Sequence, residues 1–173
     1  MRQKKCKSCG KPFTPTKPLQ QVCDFACAIE FNLINKAKVL RKELKIAKDK
    51  IKSRQEWLKE AQTAFNNFIR ARDKDLPCIS CGRHHQGQYH AGHYLTVGAR
   101  PELRFNEMNC AKQCQPCNTH LHGNLILYRV ELIKRIGLYN VEWLEGHHEP
   151  SKHTISDLKV IKALYKAKLK ELK

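Results

Sequence analysis

Nine cysteines stand in the 173-residue chain, and eight of them fall into four close pairs: Cys6/Cys9, Cys23/Cys27, Cys78/Cys81 and Cys114/Cys117. A C-x2-C spacing aims two thiolates at one point, which is the ligand geometry of zinc. Disulfides would need an oxidising compartment. The polar N-terminus, Met1 to Lys7, has no apolar export segment, and no run of 18 apolar residues exists. Two four-thiolate zinc sites are therefore expected, one from Cys6, Cys9, Cys23 and Cys27, the other from Cys78, Cys81, Cys114 and Cys117, with Cys110 left over. A closed four-cysteine site has no open position for water, so both are expected to be structural.

Around the second set lie groups of a different kind: His90-Ala-Gly-His93-Tyr94, Asn109, Asn118, His120 and His122. A histidine after a strand, an asparagine five residues before C-x2-C and another just after it resemble the HNH, or ββα-metal, nuclease motif. The resemblance extends over nearly the whole chain to the NinG (Rap) family of lambdoid phage recombination proteins. It includes the N-terminal finger, the basic helix, Phe68 to Cys78, Ala91-Gly-His-Tyr94, Leu103-Arg-Phe-Asn106 and Gly123-Asn124-Leu125. That resemblance implies a metal-dependent endonuclease cutting branched DNA such as Holliday junctions and D-loops, in the cytoplasm of a bacterial host.

Phosphodiester hydrolysis needs an activated water, neutralised phosphate charge and a stabilised leaving oxygen. His93 fits the base, because imidazole titrates near working pH. Asn109 is expected to orient it through a hydrogen bond. A second, harder ion, Mg2+ or Mn2+, is expected to be held by Asn118 first, then His90, His122 and His120. Gly92 stands where many HNH motifs carry a metal ligand, so His90 can join only if Gly92 marks a bulge or bend. On an α-helix, Asn118 and His122 would share a face. His84, His85, His147, His148 and His153 lack matching partners and are expected at the surface.

The elements that must position these groups point to a mainly helical α+β chain. Residues 1–30 read as a small zinc finger whose second cysteine pair opens a helix. Residues 31–75 read as a basic helical connector, nearly free of Gly and Pro. Ser53-Arg-Gln-Glu56 is a capping box that starts a second helix near 54–72. Its Trp57, Leu58, Ala61, Ala64, Phe65, Phe68 and Ile69 recur at helical spacing and should pack on the domain C-terminal to it. Residues 76–173 read as the HNH-like nuclease domain: a knuckle at 78–82, strands near 88–95 and 103–105, a helix from about Cys117, then helices near 126–136 and 155–172.

The formal charge is +17, from 33 Lys and Arg against 16 Asp and Glu. Such an excess calls for a polyanion, and nucleic acid is the commonest. Lys36, Lys38, Arg41, Lys42, Lys45, Lys48, Lys52 and Arg54 on the helical connector, with Arg100 and Arg104 between base and asparagine, are the candidate DNA contacts. A homodimer built on helix 54–72 or the C-terminal helix would suit two nicks across one junction. A non-catalytic double-zinc DNA-binding accessory or regulatory protein would share the charge and the zinc sites, and would make His93, Asn109 and Asn118 incidental.

Overall fold

A computed structural model describes residues 2–172, which divide into two compact units meeting at Lys52 and Ser53. In the first, β1 (Lys4–Lys5) and β2 (Pro12–Phe13) form an antiparallel hairpin ahead of helix α1 (Phe25–Ile51). Asp24 caps α1, its Oδ1 accepting from the Cys27 amide at 2.7 Å. Cys27 is the one buried residue described along this 27-residue helix. Nothing apolar is large enough here to hold a fold alone, so the cysteine cluster must organise it.

The second unit starts at helix α2 (Arg54–Arg72), and Ser53 with Glu56 makes the expected capping box. The connector anticipated at 31–75 therefore divides, with α2 packing into the second unit. Strands β3 (Tyr89–His93) and β4 (Cys110–Cys114) pair antiparallel, with His93 opposite Cys110 and His90 opposite Gln113. Helices α3 (Leu125–Ile136), α4 (Leu138–Glu145) and α5 (Ile155–Glu171) complete it.

Because residues alternate across a strand, the hairpin has two dressed faces. Ala91 and Cys110 pack with Phe65, Phe68 and Ile69 of α2 and Tyr165 of α5. Ala111 packs on the other side with Ile79, Leu103, Tyr128, Leu132, Val141 and Leu144. Both cores are therefore built on one two-stranded sheet. The apolar stripe of α2 is spent on α5 and the hairpin, so neither α2 nor α5 offers that face to a second copy.

Two expectations change. Residues 103–105 are not a strand: Pro101 opens a 3-10 turn, Pro101–Leu103, and β3 pairs instead with Cys110–Cys114. The helix expected from Cys117 is a π-helical turn, Pro116–His120, in which the Leu121 amide reaches back to the Pro116 carbonyl. It ends in three successive left-handed residues, His122 (φ 47°), Gly123 (φ 91°) and Asn124 (φ 45°), before α3 begins. Asn118 and His122 thus do not share one α-helical face.

Candidate functional site

The two cysteine tetrads are built alike. In each, the first cysteine starts a knuckle closed by a glycine in the left-handed region: Gly10 (φ 75°) donates to the Cys6 carbonyl, and Gly82 (φ 64°) to that of Cys78. The amide of the third cysteine then points at the first sulfur, Cys23 to Cys6 Sγ at 3.4 Å and Cys114 to Cys78 Sγ at 3.3 Å. Within each tetrad all four sulfurs lie within 4.8 Å of one another. Sulfur–sulfur separations of 3.5 Å (Cys23–Cys27), 3.7 Å (Cys9–Cys23) and 4.0 Å (Cys81–Cys114) bracket the ~3.8 Å edge of a tetrahedron with Zn–S near 2.3 Å. Either tetrad could hold a zinc ion.

Electrostatics already favours thiolate at the leading sulfurs. Burial opposes ionisation of Cys6, but the amides of Cys9, Cys23 and Ser8 outweigh it and bring the thiol down to about 6. Cys78 is lowered in the same way, the amides of Cys81, Cys114 and Ser80 overcoming its burial. Around the second tetrad, His85 Nε2 sits 3.2 Å from Cys81 Sγ and Asn124 Nδ2 donates to Cys117 Sγ at 3.6 Å. His85, expected at the surface, is thus a neighbour of the sulfur cluster.

His93 ends β3 half-buried, its ring stacked on Phe65 at 6.0 Å between centroids. Nε2 lies 2.9 Å from the Arg104 carbonyl. A carbonyl only accepts, so the proton sits on Nε2 and the lone pair on Nδ1. Nδ1 faces Cys110 Sγ at 3.9 Å. Burial holds the imidazole pKa below its usual value, the Arg104 carbonyl opposing and its guanidinium assisting. Burial also pushes the Cys110 thiol up, so it stays an uncharged weak donor.

Asn109 is fully buried but does not reach His93. Its Oδ1 accepts from the Leu95 amide at 2.8 Å, and Nδ2 donates to the carbonyls of Leu95 (3.0 Å) and Leu103 (3.3 Å). The expected bond to the imidazole is replaced by a clamp on the loop between them, because Cys110 is the residue opposite His93 and its neighbour Asn109 points to the other side. The Arg104 carbonyl orients the ring instead.

Among the expected ligands of a second ion, His90 lies on β3 with Nε2 buried and without a partner. Asn118 is half-exposed on the π turn, and His120 and His122 are exposed. Among the described residues, His90, His120 and His122 form no third cluster. Gln113, opposite His90, carries no signal in the sequence. Its Nε2 donates to Ser80 Oγ (2.6 Å) and the Gly123 carbonyl (2.5 Å), which fixes the amide and leaves Oε1 buried and unpartnered. A Cβ on Gly92 would meet that oxygen at 2.2 Å. Gly92 is therefore the space that Gln113 fills.

Lys36, Lys38, Arg41, Lys42, Lys45 and Lys48 are exposed on α1, while Lys52 pairs with Asp49 at 2.6 Å. Arg100 is committed to Glu102 (2.6 Å) and the Gly146 carbonyl, which leaves little of it for a phosphate. Arg54 and Arg104 keep unused N–H donors beyond their bonds to the His153 carbonyl and Gln62 Oε1.

The family model described as bacteriophage lambda NinG protein matches residues 1–173. The chain is 43% identical over 191 residues to Protein ninG of Escherichia phage lambda, covering 99% of this chain and 94% of that protein. It is 41% identical to Protein ninG of Salmonella phage P22 over the same shares. With Protein ninG of Escherichia phage 933W it shares 52% over 131 residues, 76% of this chain and 65% of that protein. No solved structure matches.

Proposed function

The chain belongs to the family of the bacteriophage lambda NinG protein, and we propose that it is an HNH-type, metal-dependent endonuclease acting on branched DNA. The observation that carries this reading is His93: its Nε2–H is tied to the Arg104 carbonyl, which leaves a neutral imidazole with its lone pair on Nδ1. That is the protonation state a general base needs. Branched recombination intermediates as substrate follow from the resemblance to the family, and the +17 charge supports a nucleic-acid partner.

The two tetrads hold structural zinc in this reading. A second divalent ion is needed on the His93 side of the hairpin. His90 was expected to join it only through a bulge at Gly92, but the register runs through Gly92 unbroken, so His90 and Gln113 lie on the face opposite His93 and are not its ligands. The amide of Asn118, with water and phosphate in the other positions, would hold Mg2+ or Mn2+. When bound, such an ion neutralises phosphate charge and stabilises the leaving oxygen. The chain's own residues do the rest. His93 Nδ1 takes the proton from water, the Arg104 carbonyl keeps the ring in that tautomer, Phe65 holds its plane, and Asn109 fixes the loop that supplies the carbonyl. Nicking both sides of one junction calls for two such sites, so the proposed working form is a homodimer.

One observation favours a second reading, a non-catalytic double-zinc DNA-binding protein: both ring nitrogens of His93 have protein neighbours, Arg104 O and Cys110 Sγ. Incubating purified protein with a four-way junction and with linear duplex of the same sequence, with and without Mg2+ or Mn2+, separates the two. Metal-dependent cuts in the junction leaving 5′-phosphates are expected. Tight binding with no cut in either metal would establish the second reading.

A further inference from the structure

Positive charge collects where α2 and α5 begin. The two helices run parallel: Arg54 Nε donates to the His153 carbonyl at 2.8 Å, Trp57 packs with Leu158, Glu60 pairs with Lys162, and Phe68 lies against Tyr165. Their N-terminal ends are therefore neighbours, and each carries roughly half a positive charge. The carboxylates nearest these ends serve the caps: Glu56 accepts from the Ser53 amide and Asp157 from the Thr154 amide.

Two arginines and a histidine converge here. Arg54 and Arg104 lie within electrostatic reach of each other, Arg104 being lowered first by its burial and then by Arg54. The ring of His153 packs on Phe105 at 5.2 Å, and its Nε2 is buried without a partner. His153 is lowered by burial and by both arginines, with Asp157 opposing. Beside them a cavity of about 340 Å³ is lined by Gln55, Leu58, Lys59, Gln62, Thr63 and Arg104. Arg104 and Lys59 on the cavity wall, with Arg54 within electrostatic reach of Arg104, lack one thing, an anion.

We propose that Arg54, Arg104 and His153, with Lys59 on the cavity wall, bind a backbone phosphate of DNA beside His93. The link to the base is covalent: Arg104 donates through its guanidinium while its own carbonyl holds His93 Nε2. A phosphate gripped here would fix the strand and so set which phosphodiester reaches the imidazole. The site rests on the nuclease reading for its purpose, and its existence can be tested without cleavage.

The test uses the full chain with its zinc retained and Mg2+ and Mn2+ absent. Inorganic phosphate is titrated at constant ionic strength while the histidine ring proton resonances are followed by NMR, with His153 assigned from His153→Gln. In parallel, the salt dependence of four-way-junction binding is measured by fluorescence anisotropy for Arg54→Gln, Arg104→Gln and a control, Lys170→Gln, at the far end of α5. Phosphate should shift the His153 resonance. Each arginine variant should weaken junction binding roughly tenfold and lower the log–log salt slope by about 0.9 for each phosphate no longer neutralised. A His153 resonance unmoved by phosphate, or arginine variants no weaker than Lys170→Gln, would overturn the site. Either result stands whether or not the protein cuts, so failure here is distinct from failure of the nuclease reading.

Discussion

At the scale of single residues, His93 and Gly92 carry the sharpest consequences. Burial disfavours the imidazolium of His93, so its neutral, proton-accepting form persists below the ordinary histidine range. The acid limb of kcat/KM for junction cleavage should therefore fall at a pH under about 6.5, the usual histidine value; a limb at or above that pH would assign it to another group. Gly92→Ala should destabilise the protein by about 1–3 kcal/mol in urea unfolding, because Gln113, held by Ser80 and Gly123, has no room to yield to a Cβ. A stability within about 0.5 kcal/mol of wild type, as for an ordinary surface change, would mean that Gln113 moves freely. The eight paired cysteines were legible because their signals are local in sequence; His93 was singled out by its motif, and its role as base is the proposal. Gln113, His85 and His153 were not legible, because each acquires its setting from its place in the fold: a strand register, a neighbouring knuckle and a contact with Arg54, 99 residues away in sequence.

At the scale of elements, the hairpin is held by a buried carboxylate that no motif announced. Asp73, at the end of α2, pairs with Arg72 (2.8 Å) and Arg135 of α3 (3.1 Å) and accepts from the Lys112 amide of β4 (2.9 Å). Burial alone would raise its pKa, but these partners win and hold it below the carboxylate range. Its contribution is thus complete above about pH 3.9 and is lost as pH falls through the lower folded value. Asp73→Ala should cost about 3–5 kcal/mol at neutral pH, measured by denaturant unfolding, because two arginines lose their counterion; a cost under about 1 kcal/mol would show that the clamp is dispensable. Helix α2 was legible from its capping box and apolar spacing. Strand β4 was not: Cys-Ala-Lys-Gln-Cys is buried at all five positions, so no alternation of apolar and polar residues marks it. Lys112 is hidden there by donating to the Lys74 carbonyl and lying over the Tyr89 ring.

At the scale of the whole molecule, the two units stand on different supports. The second has apolar cores on both faces of its hairpin, whereas the first has one buried residue on its long helix and depends on Cys6, Cys9, Cys23 and Cys27. A mercurial thiol reagent should release two zinc ions per chain, read with a chromogenic chelator, and helical circular dichroism should fall as the first unit melts. Release of fewer than two would show that one tetrad binds no zinc. Among the described residues no helix is long and apolar enough to cross a membrane, and the proposed partner for the excess of basic residues is DNA. Six to ten phosphate contacts would weaken binding by roughly 10³–10⁵ between 50 and 200 mM salt.

The most direct measurement is metal-dependent cleavage of a four-way junction by His93→Ala beside wild type, with junction affinity and zinc content determined on the same samples. Loss of about 10²–10⁴ in rate, with affinity and zinc unchanged, is the predicted result. Equal cleavage by both proteins, or a parallel loss of binding, would contradict a proton-accepting imidazole at position 93.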